Sequence, residues 1–363
     1  MDVLLLGGTG AMGTHLVEQL SCDNNSVYVT TRSKRKDSSN VFFIIGNSHD
    51  SAFLKNVLQS RHWDAIVDFM CYKTDEFEKK YRLFLEATKQ YVFLSSSRVY
   101  APSNEKISED FSRLLDVCDD REYLSSGEYA LAKARQEDIL KKSGKNNWTI
   151  IRPYVTFSEY RLQLSCEEKE SWLYRALHGR SIIFSKDLAD RKTTFTYGGD
   201  VAKGIASIIG KNRALGEVFH ITNDEFYLWS DILKMYLDAL ENVLGKRPKV
   251  IEKEKYEPYM GGNIFQVKYD RLYDRIFDNT KIKGFVDTAQ FKKTREAILY
   301  CIIEFVKKPS WLEINWGAEA LKDRQSGEWI SIKEWFGISG IKSKIKYLLV
   351  RLGIYTPKYL KLK

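Results

Sequence analysis

Through the first half of the chain, short apolar runs rich in branched and aromatic residues alternate with segments whose apolar positions recur every three or four residues. The runs Val3–Leu6, Val27–Thr30, Val41–Ile45, Ala65–Phe69, Tyr91–Leu94 and Trp148–Ile151 read as six strands. Thr14–Leu20, Phe53–Ser60, Asp75–Thr88 and Glu128–Lys142 read as the helices between them. Strands alternating with crossover helices predict an α/β fold, a Rossmann-like doubly wound parallel sheet. Tyr197–Ile209 and Val218–Thr222 add one more helix and strand. From Trp229 the pattern turns helical and aromatic-rich, as expected of a smaller, mostly helical C-terminal substrate lobe. The predicted division is therefore 1–157 with 195–224 returning to it, against 158–194 with 225–363. Neither a repeat nor a low-complexity linker interrupts the chain.

Composition narrows the class. With 44% hydrophobic and 29% charged residues among 363, the chain is a folded globular protein, not a disordered or fibrous one. Its five cysteines form no CxxC pair, which disfavours a disulfide scaffold or zinc ribbon and suits a reducing cytoplasm. The apolar run at Val3–Leu6 is far too short for a signal peptide or membrane span. The five histidines lack HxxxH or HExxH spacing, so no catalytic metal is expected.

The net charge of +9 is concentrated at one end. Seven basic residues and no acidic one lie between Ile341 and Lys363, leaving about +2 for everything else. In the same stretch Ile341, Ile345, Leu348, Leu352 and Tyr355 recur at helical spacing. An interfacial membrane helix would show this pattern, but the expectation is an ordinary helix packed on the second lobe with solvated lysines.

Directly after the first strand comes Gly7-Gly8-Thr9-Gly10-Ala11-Met12-Gly13, then an amphipathic helix. Glycines are needed there because the strand must turn sharply, the backbone must approach a pyrophosphate, and the helix must pack on the sheet. The helix N-terminus then receives the phosphates. The second strand ends Thr30-Thr31-Arg32-Ser33-Lys34-Arg35-Lys36, where an NAD site would place an acid for the ribose hydroxyls. Thr31, Arg32, Ser33 and Arg35 suit a 2′-phosphate, so NADP is expected over NAD. The fifth strand delivers Ser95, Ser96 and Ser97 to the carboxyl edge of the sheet, where ligands bind. Tyr129 and Lys133, spaced i and i+4, share a helix face, and a cation beside a phenol favours the phenolate. The same YxxxK spacing at Tyr359 and Lys363 reads as chance.

These motifs in this order resemble the extended short-chain dehydrogenase/reductases of the NAD-dependent epimerase/dehydratase family, which modify nucleotide sugars. The resemblance covers about residues 1–240. It rests on GGTGAMG at Gly7–Gly13, GNSHD at Gly46–Asp50, FLSSSRVY at Phe93–Tyr100, YALAK at Tyr129–Lys133, IIRPYVTF at Ile150–Phe157 and GGDVAKGI at Gly198–Ile205. It implies Tyr129 as catalytic acid/base, Lys133 as the group that holds the nicotinamide ribose and tunes Tyr129, and Ser96 as hydrogen-bond partner of the reacting oxygen. Asn47 would lie near the adenine, and Pro153 and Tyr154 beside the nicotinamide. Relatives commonly carry Asn where this chain has Val155. They often carry Arg near Thr193, so Arg98, Arg161, Arg175 and Arg191 become the substrate-binding candidates, with Arg180 a further one.

The implied activity is NADP-dependent reduction of a nucleotide sugar, or its epimerisation through a transient ketone, by a cytoplasmic protein expected to form a homodimer. An NAD-dependent epimerase or dehydratase, or a non-catalytic NADP-sensing or RNA-binding protein on the same fold, is the alternative. The intact Ser96, Tyr129 and Lys133 set argues for the enzyme, and no nucleic acid is expected as partner.

Overall fold

The computed structural model describes residues 1–23 and 25–357; Lys358, Tyr359, Lys361 and Lys363 lie outside them. Seven parallel strands form one sheet: β1 (Asp2–Leu6), β2 (Ser26–Thr31), β3 (Val41–Ile45), β4 (Ala65–Asp68), β5 (Tyr91–Leu94), β6 (Trp148–Pro153) and β7 (Glu217–Ile221). Their order is β7-β6-β5-β4-β1-β2-β3, with Leu5 opposite Val29 on one side of β1 and Leu5 opposite Val67 on the other. From Val3 to Leu6 β1 is apolar and buried because it is covered on both faces. Val3 and Leu5 join one core with Leu16, Leu20, Val201 and Ile205. Leu4 and Leu6 join the opposite one with Leu54, Phe77 and Phe84. Helices α1 (Gly13–Cys22), α2 (Ser51–Gln59), α3 (Thr74–Ala87), α4 (Tyr129–Lys141) and α5 (Gly198–Ile208) supply these layers. The strand order reverses between β1 and β4, which opens a crevice at the carboxyl ends of those two strands, the usual ligand position in such a sheet.

The chain divides into two units. The first contains Met1–Ser158, Thr194–Phe226 and Arg275–Thr294; the second contains Glu159–Thr193, Tyr227–Asp274 and Arg295–Lys363. The sequence pattern put 275–294 in the second lobe, and the structure corrects this. The segment is anchored by Arg275, which donates to the Tyr100 and Ala101 carbonyl oxygens, by Asn279 bonded to Thr222, and by Ile282 and Phe291, which enter the first core. These contacts join residues far apart in the chain, which local periodicity does not register.

In the second unit, α6 (Trp229–Leu244), α7 (Trp316–Ser326), α8 (Ile332–Gly337) and α9 (Ile341–Arg351) accompany short strands. Here a buried ionic network stands beside an apolar core. Arg175 reaches Glu319 and Asp323 at 3.1 and 2.8 Å, and Arg180 reaches Asp323 and Glu334 at 2.9 and 2.8 Å. Tyr347 of α9 donates to Asp323 at 2.8 Å. The expected packing of α9 is therefore corrected: Tyr347 and Val350 turn inward, while the predicted stripe Ile341, Ile345, Leu348 and Leu352 is exposed.

Candidate functional site

The glycine loop leaves β1 through Gly7, whose φ of +71° is open to glycine and strained for most other residues. Gly7 N–H donates to Thr30 Oγ1 at 3.0 Å, and Ser48 Oγ donates to the same oxygen at 2.8 Å. These bonds tie the loop to the ends of β2 and β3. A Cβ on Gly13 would stand 2.6 Å from the Gly8 backbone, so α1 packs directly on the turn. A Cβ on Gly10 would meet nothing within 4 Å. The loop is thus tight where it meets the protein and open at Gly10, with Ala11 and Met12 leading into the first turn of α1. Thr14 N–H donates to the Gly10 carbonyl oxygen at 3.1 Å, which folds the loop onto the start of α1, and α1 has no acid in its first turn to repel an anion. This cradle fits a dinucleotide pyrophosphate.

At the end of β2, Thr31 is buried and its Oγ1 accepts the Ser33 N–H at 3.2 Å, while Arg32, Ser33 and Arg35 are exposed. Arg35 lies 5.8 Å from the centre of the Phe43 ring on β3. Asn47 is exposed after β3 and accepts the His49 N–H at 3.1 Å, and Asp50 caps α2.

The three serines after β5 separate into different roles. Ser95 Oγ donates to Glu137 at 2.6 Å, and Ser97 Oγ donates to the Arg152 carbonyl oxygen at 2.7 Å, so both are spent on structure. Ser96 Oγ accepts the Arg98 N–H at 3.2 Å, which leaves its hydroxyl hydrogen able to donate. Arg98 pairs with Glu128 and lies 5.5 Å from the centre of the Tyr129 ring. Glu128 also caps α4, accepting the Ala130 N–H at 2.6 Å. Arg98 therefore couples the Ser96 turn to the start of α4.

Tyr129 is 38% exposed at the first position of α4, whereas Lys133 is buried one turn along. Lys133 Nζ lies 5.9 Å from the Tyr129 ring centre and donates to the Met70 carbonyl oxygen at 3.3 Å. Burial lowers its pKa, and the charges of Cys71, Asp68 and Glu137 oppose that shift. Asp68, at the end of β4, was not among the sequence candidates. It is fully buried, accepts from Tyr91 Oη at 2.7 Å and from Met70 N–H at 2.9 Å, and burial pushes its pKa up to about 6. The available signal was an acid closing the otherwise apolar run Ala65–Val67. Glu128, too, was missed.

After β6, Tyr154 is buried with its ring 5.1 Å from that of Phe277, beside Pro153. Val155 follows with φ 28°, a left-handed conformation that Asn tolerates better than a β-branched residue. Among the substrate candidates, Arg175 and Arg180 are corrected: both are buried and ion-paired to carboxylates of the second unit. Arg161 is half-exposed and paired with Glu168, and Arg191 is exposed. Among the described residues, no group of side chains is arranged to hold a metal ion.

The profile of the NAD dependent epimerase/dehydratase family matches residues 3–222, so the chain belongs to that family. Among curated proteins it is 23% identical over 250 residues to the chloroplast stem-loop binding protein of 41 kDa b of Arabidopsis thaliana. That match covers 64% of this chain and 61% of the relative, less than two thirds of the relative's length. Two solved structures share the fold. The Bordetella bronchiseptica enzyme WbmH, solved in complex with NAD+, has a TM-score of 0.64 at 14% identity over 85% of this chain and 99% of that one. The UDP-glucuronic acid 4-epimerase from Bacillus cereus, solved in complex with NAD, has a TM-score of 0.61 at 17% identity, with the same coverage of both chains.

Proposed function

We propose that the protein is a nicotinamide-dinucleotide-dependent enzyme that oxidises or reduces a hydroxyl-bearing carbon of a nucleotide sugar, as an epimerase working through a transient ketone or as a ketoreductase. The observation that carries this reading is the exposed Tyr129 phenol set one turn above the buried Lys133, with the Ser96 turn linked to it through Arg98. The two solved neighbours support it, one being named a UDP-glucuronic acid 4-epimerase and both being solved with NAD or NAD+.

Held on Gly7–Gly13, the dinucleotide would supply the hydride acceptor and donor at its nicotinamide ring. The protein's part is orientation and proton transfer. Tyr129 Oη takes the hydroxyl proton during oxidation and returns it during reduction. The Lys133 ammonium favours the phenolate and would hold the nicotinamide ribose, and the Ser96 hydroxyl would donate to the reacting oxygen. Arg161 and Arg191 serve as candidates for the nucleotide diphosphate. We assign Arg32, Ser33 and Arg35 to a 2′-phosphate and so favour NADP. Residues 30–36 contain no acid that would repel that group, which supports the assignment.

The test is Tyr129→Phe. Turnover of UDP-sugars should fall by about a hundredfold or more, the scale of a lost general acid/base, while dinucleotide affinity stays within about twofold. Equal turnover in the variant would refute the assignment. Titrating NADP and NAD against the wild-type protein tests cofactor choice; equal affinities would remove the role given to Arg32 and Arg35.

A second reading has its own support. The Arabidopsis thaliana relative is named a stem-loop binding protein, and +9 with a basic tail suits RNA. Affinity for a stem-loop RNA that falls steeply with salt, in a protein without UDP-sugar turnover, would favour it.

A further inference from the structure

We propose that the outer faces of α8 and α9 form a docking surface for an anionic lipid bilayer, on which the protein lies without spanning it. Each helix has two faces. Glu334 of α8 and Tyr347 and Val350 of α9 turn inward, and the ionic network holds the first two through Arg180 and Asp323. On the opposite side α8 presents Ile332 and Phe336, 78% and 73% exposed. α9 presents Ile341, Ile345, Leu348 and Leu352, of which Ile341 is 72% exposed. At 100° per residue these four positions fall within about 60° of one another, a single outward stripe.

Cations flank that stripe. Lys342 and Lys346 stand on one side of it, and Lys344 and Arg351 on the other. Lys344 Nζ lies 5.7 Å from the centre of the Phe336 ring on α8, and Arg351 lies 4.2 Å from that of Trp329, so the two helices share one continuous surface. Between Trp329 and Pro357 the only acid is Glu334, which is turned inward to Arg180. An apolar stripe bordered by lysines whose stems reach past it matches the boundary between acyl chains and anionic headgroups. No helix among the described residues is long and apolar enough to cross a membrane, so the contact is peripheral.

Charge complementarity selects this occupant over two others. A second copy docked across a two-fold axis would place these cations against their own counterparts. A nucleic acid would use the cations, but branched aliphatic side chains offer it neither stacking faces nor hydrogen bonds.

Co-sedimentation of the full chain with vesicles tests the proposal. Binding is expected to an equimolar mixture of phosphatidylcholine and phosphatidylglycerol, and not to phosphatidylcholine alone. Lys342→Gln with Lys344→Gln should weaken binding about thirtyfold, at about fivefold per cation. Phe336→Ser with Ile345→Ser should weaken it at least about tenfold, since both side chains would enter the interface. Phe336 and Ile345 are more than half exposed, and an unchanged melting temperature verifies that the fold survives. Failure to bind the anionic vesicles overturns the proposal. So does unchanged binding by the Phe336 and Ile345 variant, which would reduce the effect to charge alone. Conversion of a dimer to a monomer by that variant would assign the face to a second copy, and a matching loss of stem-loop RNA affinity would assign it to nucleic acid; either result overturns the proposal.

Discussion

The Lys133 ammonium lies 5.9 Å from the centre of the Tyr129 ring and 4.5 Å from that of Phe93, so the cation sits beneath the phenol with an aromatic floor under it. Lys133→Met keeps most of the packing and removes the charge. Two effects should appear together: a rise in the pH at which turnover is half-maximal, because the phenolate loses its neighbouring cation, and a loss of dinucleotide affinity of about tenfold or more, because a charge-assisted hydrogen bond to the ribose is gone. A pH–rate profile and a dinucleotide titration read them separately. An unchanged profile would mean that Lys133 does not act on Tyr129.

Asp68, whose charge acts on Lys133, gives stability a distinctive pH dependence. Burial holds its folded pKa at about 6, above the ordinary aspartate value of about 3.9, so between those values the folded state holds a proton that the unfolded state has lost. Its contribution to stability is therefore full below about pH 4 and is lost as pH rises toward 6. His220 acts in the opposite sense. Burial lowers its pKa to about 4, so its contribution is present above its unfolded value and is lost as pH falls. The two partly cancel in the wild-type protein. Asp68→Asn isolates one of them: relative to wild type, the variant should gain stability between pH 4 and 6 by about 3 kcal/mol or less, measured by urea unfolding at each pH. A flat difference curve would show that Asp68 does not hold its proton.

The cofactor half of the site was legible because its chemistry is local. Gly7–Gly13, Ser96 and the Tyr129–Lys133 spacing each lie within a few residues, next to a strand or helix that periodicity already marks. The supporting residues were harder to see because their partners are remote in sequence. Asp68 at the end of β4 acts through its charge on Lys133 of α4, Glu128 meets Arg98 thirty residues away, and Arg275–Thr294 returns to the first unit after a long excursion. Arg175 misled for the same reason. It became a substrate candidate because the chain lacks the arginine that relatives carry near Thr193, and only the fold brings Glu319 and Asp323, about 150 residues later, against it.

Arg175→Met tests that correction. Arg175 is fully buried and donates to Glu319, Asp323 and Glu328, as well as to the Ser181 carbonyl oxygen at 2.7 Å. Removing the cation leaves buried carboxylates short of a partner, and the expected cost is about 3–5 kcal/mol of stability. Dinucleotide affinity of the folded fraction should not change. A variant that keeps its stability and loses substrate affinity would return Arg175 to the binding site.

Val155 supplies the last prediction. Its φ of 28° places a β-branched side chain in left-handed backbone directly after the Pro153-Tyr154 pair, at a cost of about 1–3 kcal/mol. The conformation is held in place by the Val155 carbonyl oxygen, which accepts the Thr196 N–H at 3.2 Å, and by the pairing of Thr156 with Thr196. Val155→Ala and Val155→Gly both remove buried methyl groups, so both should be less stable than wild type unless relief of strain offsets the loss. Their order is the informative result. In ordinary strands and helices glycine is less stable than alanine by about 0.5–1 kcal/mol. Here glycine adopts the required φ freely and alanine does not, so Val155→Gly should equal or exceed Val155→Ala in stability, by up to about 1 kcal/mol. Denaturant unfolding of the two variants decides it. The usual order, with alanine ahead, would mean that residue 155 is not held in the left-handed region.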